Sequence, residues 1–367
     1  MNRLASFIIL CSLLVLSACQ ADIDTVDGGK EKILLVNLDV SVALSDVSAA
    51  RTRAAEDYYD PDGGAANDNE KMHTLRIVIV RPNGTVEANR LIDLGSAVSL
   101  KHEWEEFRVV GNETKRIYLF VNEGAKAKAV DGTGIARKLV DFDLNGIREK
   151  ERFPQGDIEG LQIRLEENSE RIDGPLPMSE CHEHFVTEEE EQSCELFVTR
   201  AAVKFTFVLK NELQSRSVTF ESLMIDKMAT KEWFLPRATY GERLSNGVRE
   251  ITDYEVPADA GYYTYGKNTS VTGGITVEPG KAEVLPSIYL LEGKYTEDPD
   301  EDGQNYSVNI TLNRMTGKYY FKNPYSKTLP RNTHVVVYII YKDYAKVECE
   351  VDVIPYSEVL LDPDFGL

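Results

Sequence analysis

Near the start of the chain, apolar and polar residues alternate with a period of two. Val36, Leu38, Val40, Val42 and Leu44 alternate with Asn37, Asp39, Ser41, Ala43 and Ser45. Successive side chains of an extended chain point to opposite faces, so this pattern predicts a long strand with one buried face. Strand-like apolar runs follow at 75–80 and 117–122. Alternation returns at Val203, Phe205, Phe207 and Leu209, and the same style continues at 218–220, 288–291, 306–312, 335–341 and 347–353. Turn residues separate the runs: Pro82-Asn83-Gly84, Gly273-Gly274, Pro279-Gly280 and the Asp-rich stretch 298–303. These residues supply fixed or positive φ angles where a chain must reverse. Helical periodicity is almost missing; one short helix is expected near 134–140. Residues 172–178 hold Pro175 and Pro177 and are expected to be extended. The stretch 181–195, with Glu188 to Glu191 in a row, is expected to be a solvated loop between two halves. Many short strands with regular turns give an all-β chain of two tandem β-sandwich domains. The first is expected over 54–195, completed by 33–45, and the second over 196–367.

The N-terminus carries a targeting signal. Arg3 is followed by an apolar run from Phe7 to Leu16 that is too short to cross a bilayer as a helix. The run closes on Leu16-Ser17-Ala18-Cys19, an aliphatic residue, two small residues and a cysteine. That is a bacterial lipobox. It predicts a signal peptide over 1–18 and a lipid on Cys19 that ties the chain to a membrane surface without spanning it. Residues 19–53 then form a lipidated leading segment that contains the alternating strand. The polar, Asp- and Gly-rich stretch up to Asn69 reads as an exposed loop or linker, and Arg51 and Arg53 stand at its start.

Composition narrows the partners. The formal charge is −20, which argues against nucleic acid. The hydrophobic content of 42%, with 18 Tyr and 13 Phe, suits a folded core. Past the lipid site three cysteines remain. Cys349 falls at an inward position of an alternating strand, as a buried thiol does, and Cys181 and Cys194 are spaced so that a disulfide between them stays open.

Catalytic and metal-binding patterns are weak. Cys181-His182-Glu183-His184 places four ligand types side by side, but neighbours on an extended chain point apart and do not converge on a tetrahedral ion. Asp298-Pro299-Asp300-Glu301-Asp302-Gly303 resembles the front of a calcium loop, yet Asn309 stands where a bidentate Glu is needed. The Gly-rich stretch 124–134 lacks the Gly-Lys-Ser/Thr ending of a phosphate cradle, and there is no Gly-x-Ser-x-Gly elbow. No catalytic residue, metal site or cofactor is assigned, and the expectation is a non-enzymatic protein. Trp104 and the tyrosines are candidates for a sugar platform, with core packing as the simpler role.

Taken in order, several segments resemble the fimbrillin superfamily of Bacteroidales, the type V pilins. They are the lipobox at Cys19, the amphipathic strand 33–45 followed by Arg51 and Arg53, Lys115-Arg116-Ile117-Tyr118-Leu119-Phe120-Val121-Asn122, Arg200-Ala201-Ala202-Val203-Lys204-Phe205, Arg331-Asn332-Thr333-His334-Val335, and the closing Pro355-Tyr356 region. The likeness spans nearly the whole mature chain. It implies two transthyretin-like β-sandwiches, a lipid-anchored precursor at the cell outer membrane, and export to the cell surface as part of a fimbrium. It further implies removal of the first strand by an arginine-specific protease acting at Arg51 or Arg53. The edge groove left behind would accept a strand from another fimbrial subunit. The donor expected from the resemblance is the segment 355–367, with Val359 and Leu361 on one face and Asp362-Pro363-Asp364 interrupting the pattern. The implied role is a structural subunit supporting adhesion or biofilm formation, with a host or bacterial surface receptor as a further partner. Stalk, tip and membrane-retained anchor remain open, as does a glycan-binding surface lipoprotein of a nutrient-uptake system.

Overall fold

The structure is a computed structural model. It describes residues 33–44, 67–96, 99–129, 135–166, 170–243, 249–266, 274–295, 306–313, 315–320, 328–343 and 346–355. Cys19, Arg51, Arg53, Val359, Leu361 and the stretch 298–303 lie outside the described residues.

Strand is by far the main regular structure of the described residues. The first half holds β1 (Leu35–Leu44), β2 (Thr74–Val80), β3 (Val86–Asp93), β4 (Lys101–Val110), β5 (Glu113–Val121), β6 (Lys126–Ala129), β7 (Arg137–Lys138), β8 (Gln162–Arg164), β9 (Glu170–Asp173), β10 (Met178–Val186) and β11 (Glu191–Arg200). The second half holds β12 (Val203–Asn211), β13 (Val218–Ala229), β14 (Lys231–Trp233), β15 (Ala238–Arg243), β16 (Arg249–Tyr254), β17 (Tyr262–Tyr265), β18 (Ile275–Val277), β19 (Ala282–Val284), β20 (Ile288–Leu290), β21 (Ser307–Leu312), β22 (Met315–Tyr320), β23 (Thr333–Asp343) and β24 (Lys346–Pro355). Helix is confined, among the described residues, to single turns and to α1 (Gln155–Glu159). The helix expected near 134–140 is instead the two-residue strand β7, paired with β6.

The two halves repeat one strand order. In the first, β3-β2-β5-β10 form one layer and β11-β1-β4 the other, joined at β11 into a seven-stranded sheet. In the second, β17-β13-β21-β22 form one layer and β19-β12-β23-β24 the other. Strand by strand the orders match, including the parallel pairing of each half's first strand with a late one, β1 with β11 and β12 with β23. The second half adds β18 on β13, β20 on β12, and β24, which is antiparallel to β23. The inward side chains of all four layers meet in one apolar core.

The acidic stretch 181–195 is not a loop. It lies mostly within β10 and β11, which share register only at Met178↔Arg200 and Ser179↔Thr199 and then splay into opposite layers. The expected boundary at 195/196 falls inside β11, whose pairing with β1 runs to Val198.

The junction between the halves is polar and buried. β8 of the first half pairs with β14 of the second. Arg331 donates through Nε and Nη2 to Glu292 Oε1 at 3.0 and 2.6 Å, and also to the carbonyls of Phe234 and Trp233. A second buried carboxylate, Glu232, lies 3.8 Å from the same guanidinium, and its Oε1 has no hydrogen-bond partner. Lys204 meets the buried Glu70 at 2.8 Å, Tyr289 donates to the same carboxylate oxygen at 2.8 Å, and Arg200 donates to the Glu70 carbonyl. Thus Arg200, which also donates to Asn332, and Lys204, surface residues by type, tie the halves together, while Arg331 organises the second half's side of the junction.

Candidate functional site

β1 runs between two neighbours. On one side it pairs in parallel with β11, Asn37↔Glu191 through Leu44↔Val198. On the other it pairs antiparallel with β4, Leu35↔Val110 through Ala43↔Lys101. A bulge sets Glu103 and Trp104 of β4 against the single residue Ser41, and Trp104 is exposed there. The expectation of an edge strand is therefore corrected: β1 is interior, because β4 lies beyond it and, among the described residues, pairs with no other strand.

Burial follows the alternation up to Val40, and beyond it Ser41 and Ala43 on the other face are buried as well. Val36, Leu38, Val40, Val42 and Leu44 are all at most 2% exposed and join the same core as Ile77, Leu119 and Val198. At roughly 1.5–3 kcal/mol per aliphatic side chain, their burial is worth on the order of 10 kcal/mol before ordering costs. The start of the strand is different. Ile33, Leu34 and Leu35 are exposed large apolar side chains.

Three corners converge on that start. Gly111 N donates to Leu34 O at 2.8 Å, Asn37 N donates to Glu190 O at 2.8 Å, and Asn112 N donates to Thr187 O at 3.3 Å. Gly111 sits so close that an added Cβ would stand 2.6 Å from Thr187 O and 3.2 Å from Val36 Cγ1. Asn37 Nδ2 donates to Glu191 Oε1 at 2.9 Å, which fixes the parallel register from the polar face.

β4 is tied to β3 by side chains. Val110 N donates to Glu87 Oε1 at 2.6 Å, and Arg90 Nη1 donates to Glu106 O at 3.1 Å. Arg90 also pairs with Glu105 and lies 4.5 Å over the Phe107 ring. Glu87 is itself held by the fully buried Lys115, which bonds Glu113 at 2.6 Å, and Glu113 pairs with Arg81 at 2.8 Å. Burial pushes the Glu113 carboxyl up, but its bonds to Arg81 and Lys115 outweigh that and hold it below the usual carboxylate range. Sequence reading had no signal for this chain of charges beyond their positions on strands.

The other sequence candidates are dispersed. Cys181 is exposed on β10, Cys194 is buried on β11, and both are free thiols, as is the half-buried Cys349. His182 bonds the carbonyl of Phe197 at 2.7 Å, across the gap where β10 and β11 splay. His334 is buried against Thr206, and burial together with Lys204 holds its imidazole well below the usual range. Among the described residues no group of three or more His, Cys, Asp or Glu is arranged to hold a metal ion. Among the described residues the exposed large aromatics are Trp104 on β4 and Phe185 on β10, in different layers, while Tyr254, Tyr263, Tyr265, Tyr295 and Tyr306 are buried.

No protein-family profile matches the sequence. No curated protein matches it either. Among solved structures the chain is similar to the tip fimbrial protein Mfa3 from Porphyromonas gingivalis with C-terminal truncation, at 11% identity and a TM-score of 0.49, covering 88% of this chain and 99% of that one. It is also similar to a fimbrial assembly protein from Parabacteroides distasonis ATCC 8503, at 9% identity and a TM-score of 0.44, covering 87% of this chain and 95% of that one.

Proposed function

We propose that this chain is a structural subunit of a cell-surface fimbrium, made as a lipid-anchored precursor and joined to neighbouring subunits by exchange of its first strand. The observation that carries the reading is the placement of β1. It is the first strand of the described chain, it buries five aliphatic side chains, and it fills a slot with a ladder on each side. A single cut between β1 and β2 would separate the strand from the rest of the described elements. The empty slot would expose an apolar trench and two rows of unpaired backbone groups, a strong template for another chain's strand. Arg51 and Arg53 follow β1 closely in sequence and are the proposed cleavage positions.

The role is structural, in contact with other fimbrial subunits, and adhesion or biofilm formation follows from it. A membrane-retained anchor uses the same geometry without the cut and keeps both β1 and the lipid on Cys19. A glycan platform is less well supported, since Trp104 and Phe185 do not share a face. The test is the double variant Arg51→Ala with Arg53→Ala, together with the N-terminal sequence of the surface protein. Monomers carrying an intact N-terminus are expected from the variant. Unchanged polymer would remove the basis for exchange at this slot.

A further inference from the structure

We propose that Glu87 and Arg90 of β3 are positioning residues that keep β4 in place as the far wall of the slot while β1 is out of it. The proposal rests on the strand-exchange reading and adds what that reading needs. Among the described residues β4 is the last strand of its sheet, and its only strand partner is β1. If β1 leaves, β4 loses its whole ladder, and an incoming strand would meet one edge instead of two.

The contacts from β3 do not depend on β1. Glu87 accepts from the backbone of Val110, and Arg90 donates to the backbone of Glu106, stacks on Phe107 and pairs with Glu105. These reach β4 over its length from 105 to 110. Their supports lie in the other layer. β3 pairs with β2 from Thr74↔Asp93 to Val80↔Val86, and β2 pairs with β5. Lys115 and Glu113 of β5, with Arg81 just past β2, fix the Glu87 carboxylate. A charge-assisted bond to a strand's backbone takes the place of a neighbouring strand there. It also occupies groups on β4 that a foreign strand would otherwise use, which steers an incoming strand toward β11 and the slot.

The experiment uses the full chain with a site for a sequence-specific protease placed in the 45–66 segment. After cleavage β1 is held only by non-covalent contacts. A labelled peptide of residues 33–45 is added in excess, and its uptake is followed together with hydrogen exchange of the 101–110 amides. The cut parent chain is expected to take up peptide with slow β4 amides. Glu87→Gln with Arg90→Ala is expected to slow uptake about tenfold and speed β4 exchange about tenfold, the loss of about one charge-assisted bond. The uncut variant is expected to keep its β4 exchange within about twofold, because the β1 ladder still holds the strand. Arg90→Ala alone, at a partly exposed side chain, is expected to give a smaller shift in the same direction and covers the case in which the double variant does not fold. Equal uptake by parent and both variants would overturn the positioning role and leave strand exchange standing. No uptake by the cut parent would overturn both.

Discussion

Leu38 lies directly opposite Phe107 across the β1–β4 ladder, and both side chains are sealed from solvent. The pair sits at the middle of the slot, so it reports on how tightly β1 is held. Leu38→Ala removes buried methyl groups and leaves a cavity, and it is expected to cost about 2–5 kcal/mol. Urea unfolding followed by tyrosine and tryptophan fluorescence measures this. Asn37→Ala, on the polar face of the same strand, loses a partly exposed bond to Glu191 and is expected to cost about 1 kcal/mol or less. Equal losses at the two positions would mean that apolar burial is not what holds β1.

Gly111 gives a second, local probe. A methyl group there meets Thr187 O at 2.6 Å, which is backbone and cannot swing aside. Gly111→Ala is expected to cost about 1–3 kcal/mol through overpacking. Hydrogen exchange should show the loss first at Leu35, Val36 and Asn37, where the corner touches β1. Unchanged protection at these amides would show that the corner yields without disturbing the strand.

The sequence made some of this legible. β1 was readable because its apolar residues alternate without a break, β24 because Val347, Cys349, Val351 and Val353 alternate in the same way, and β23 because the unbroken apolar run from Val335 to Tyr341 marks a strand covered on both faces. β11 was not. Cys194, Leu196 and Val198 do alternate inward, but the row of glutamates before them and the polar Ser193 and Glu195 between them suggested a solvated loop. Its pairing with β1 joins residues 154 positions apart, and nothing local encodes such a contact. β1 was expected at an edge because period two reports faces and says nothing about which strands lie on either side. The segments at Arg200 and Arg331 stood out as landmarks, yet their burial came from topology: both halves turn their ends inward at the same junction. Glu87 and Arg90 are ordinary surface types three positions apart, and only the closing of β3 against β4 gives them a task.

The junction predicts a large effect from a single cation. Arg331 neutralises Glu292 and lies near Glu232, all three at most 2% exposed in side chain. Arg331→Met keeps much of the side-chain volume but strands the Glu292 carboxylate away from water, beside the Glu232 carboxyl that burial already pushes up. It is expected to cost about 3–5 kcal/mol, because an unpaired buried charge has no compensation. Denaturant unfolding of the variant, and of the variant combined with Glu292→Gln and Glu232→Gln, checks it. Recovery of much of the loss in the triple variant would show that the penalty came from the stranded carboxyl groups. No recovery would point to the lost bonds from Arg331 to the Phe234 and Trp233 carbonyls.

The same junction sets a pH dependence whose sign is opposite to that of an ordinary salt-bridged carboxylate. Burial pushes the Glu180 carboxyl up to about 7, with bonds from Tyr240 and Thr199 offsetting only part of that. Burial and the neighbouring Glu292 also push Glu232 up, against the pull of Arg331. In the unfolded chain a glutamate titrates near about 4.3. Between that value and about 7 the folded protein therefore binds more protons than the unfolded one. Stability is then greatest on the acid side of the window and falls as pH rises through the folded values. For Glu180 alone the change is on the order of 3 kcal/mol. Carboxylates held low, such as Glu113 and Asp226, work the other way, but only as pH falls below their usual range. The urea midpoint is expected to be higher at pH 5.5 than at pH 8.5, and Glu180→Gln is expected to flatten the difference. Repulsion within a chain of net charge −20 acts in the same direction, so the comparison belongs at high salt, where exposed charges are screened and buried ones are not. A midpoint that rises from pH 5.5 to 8.5 under those conditions would mean that Glu180 and Glu232 are ionised and well paired in the folded protein.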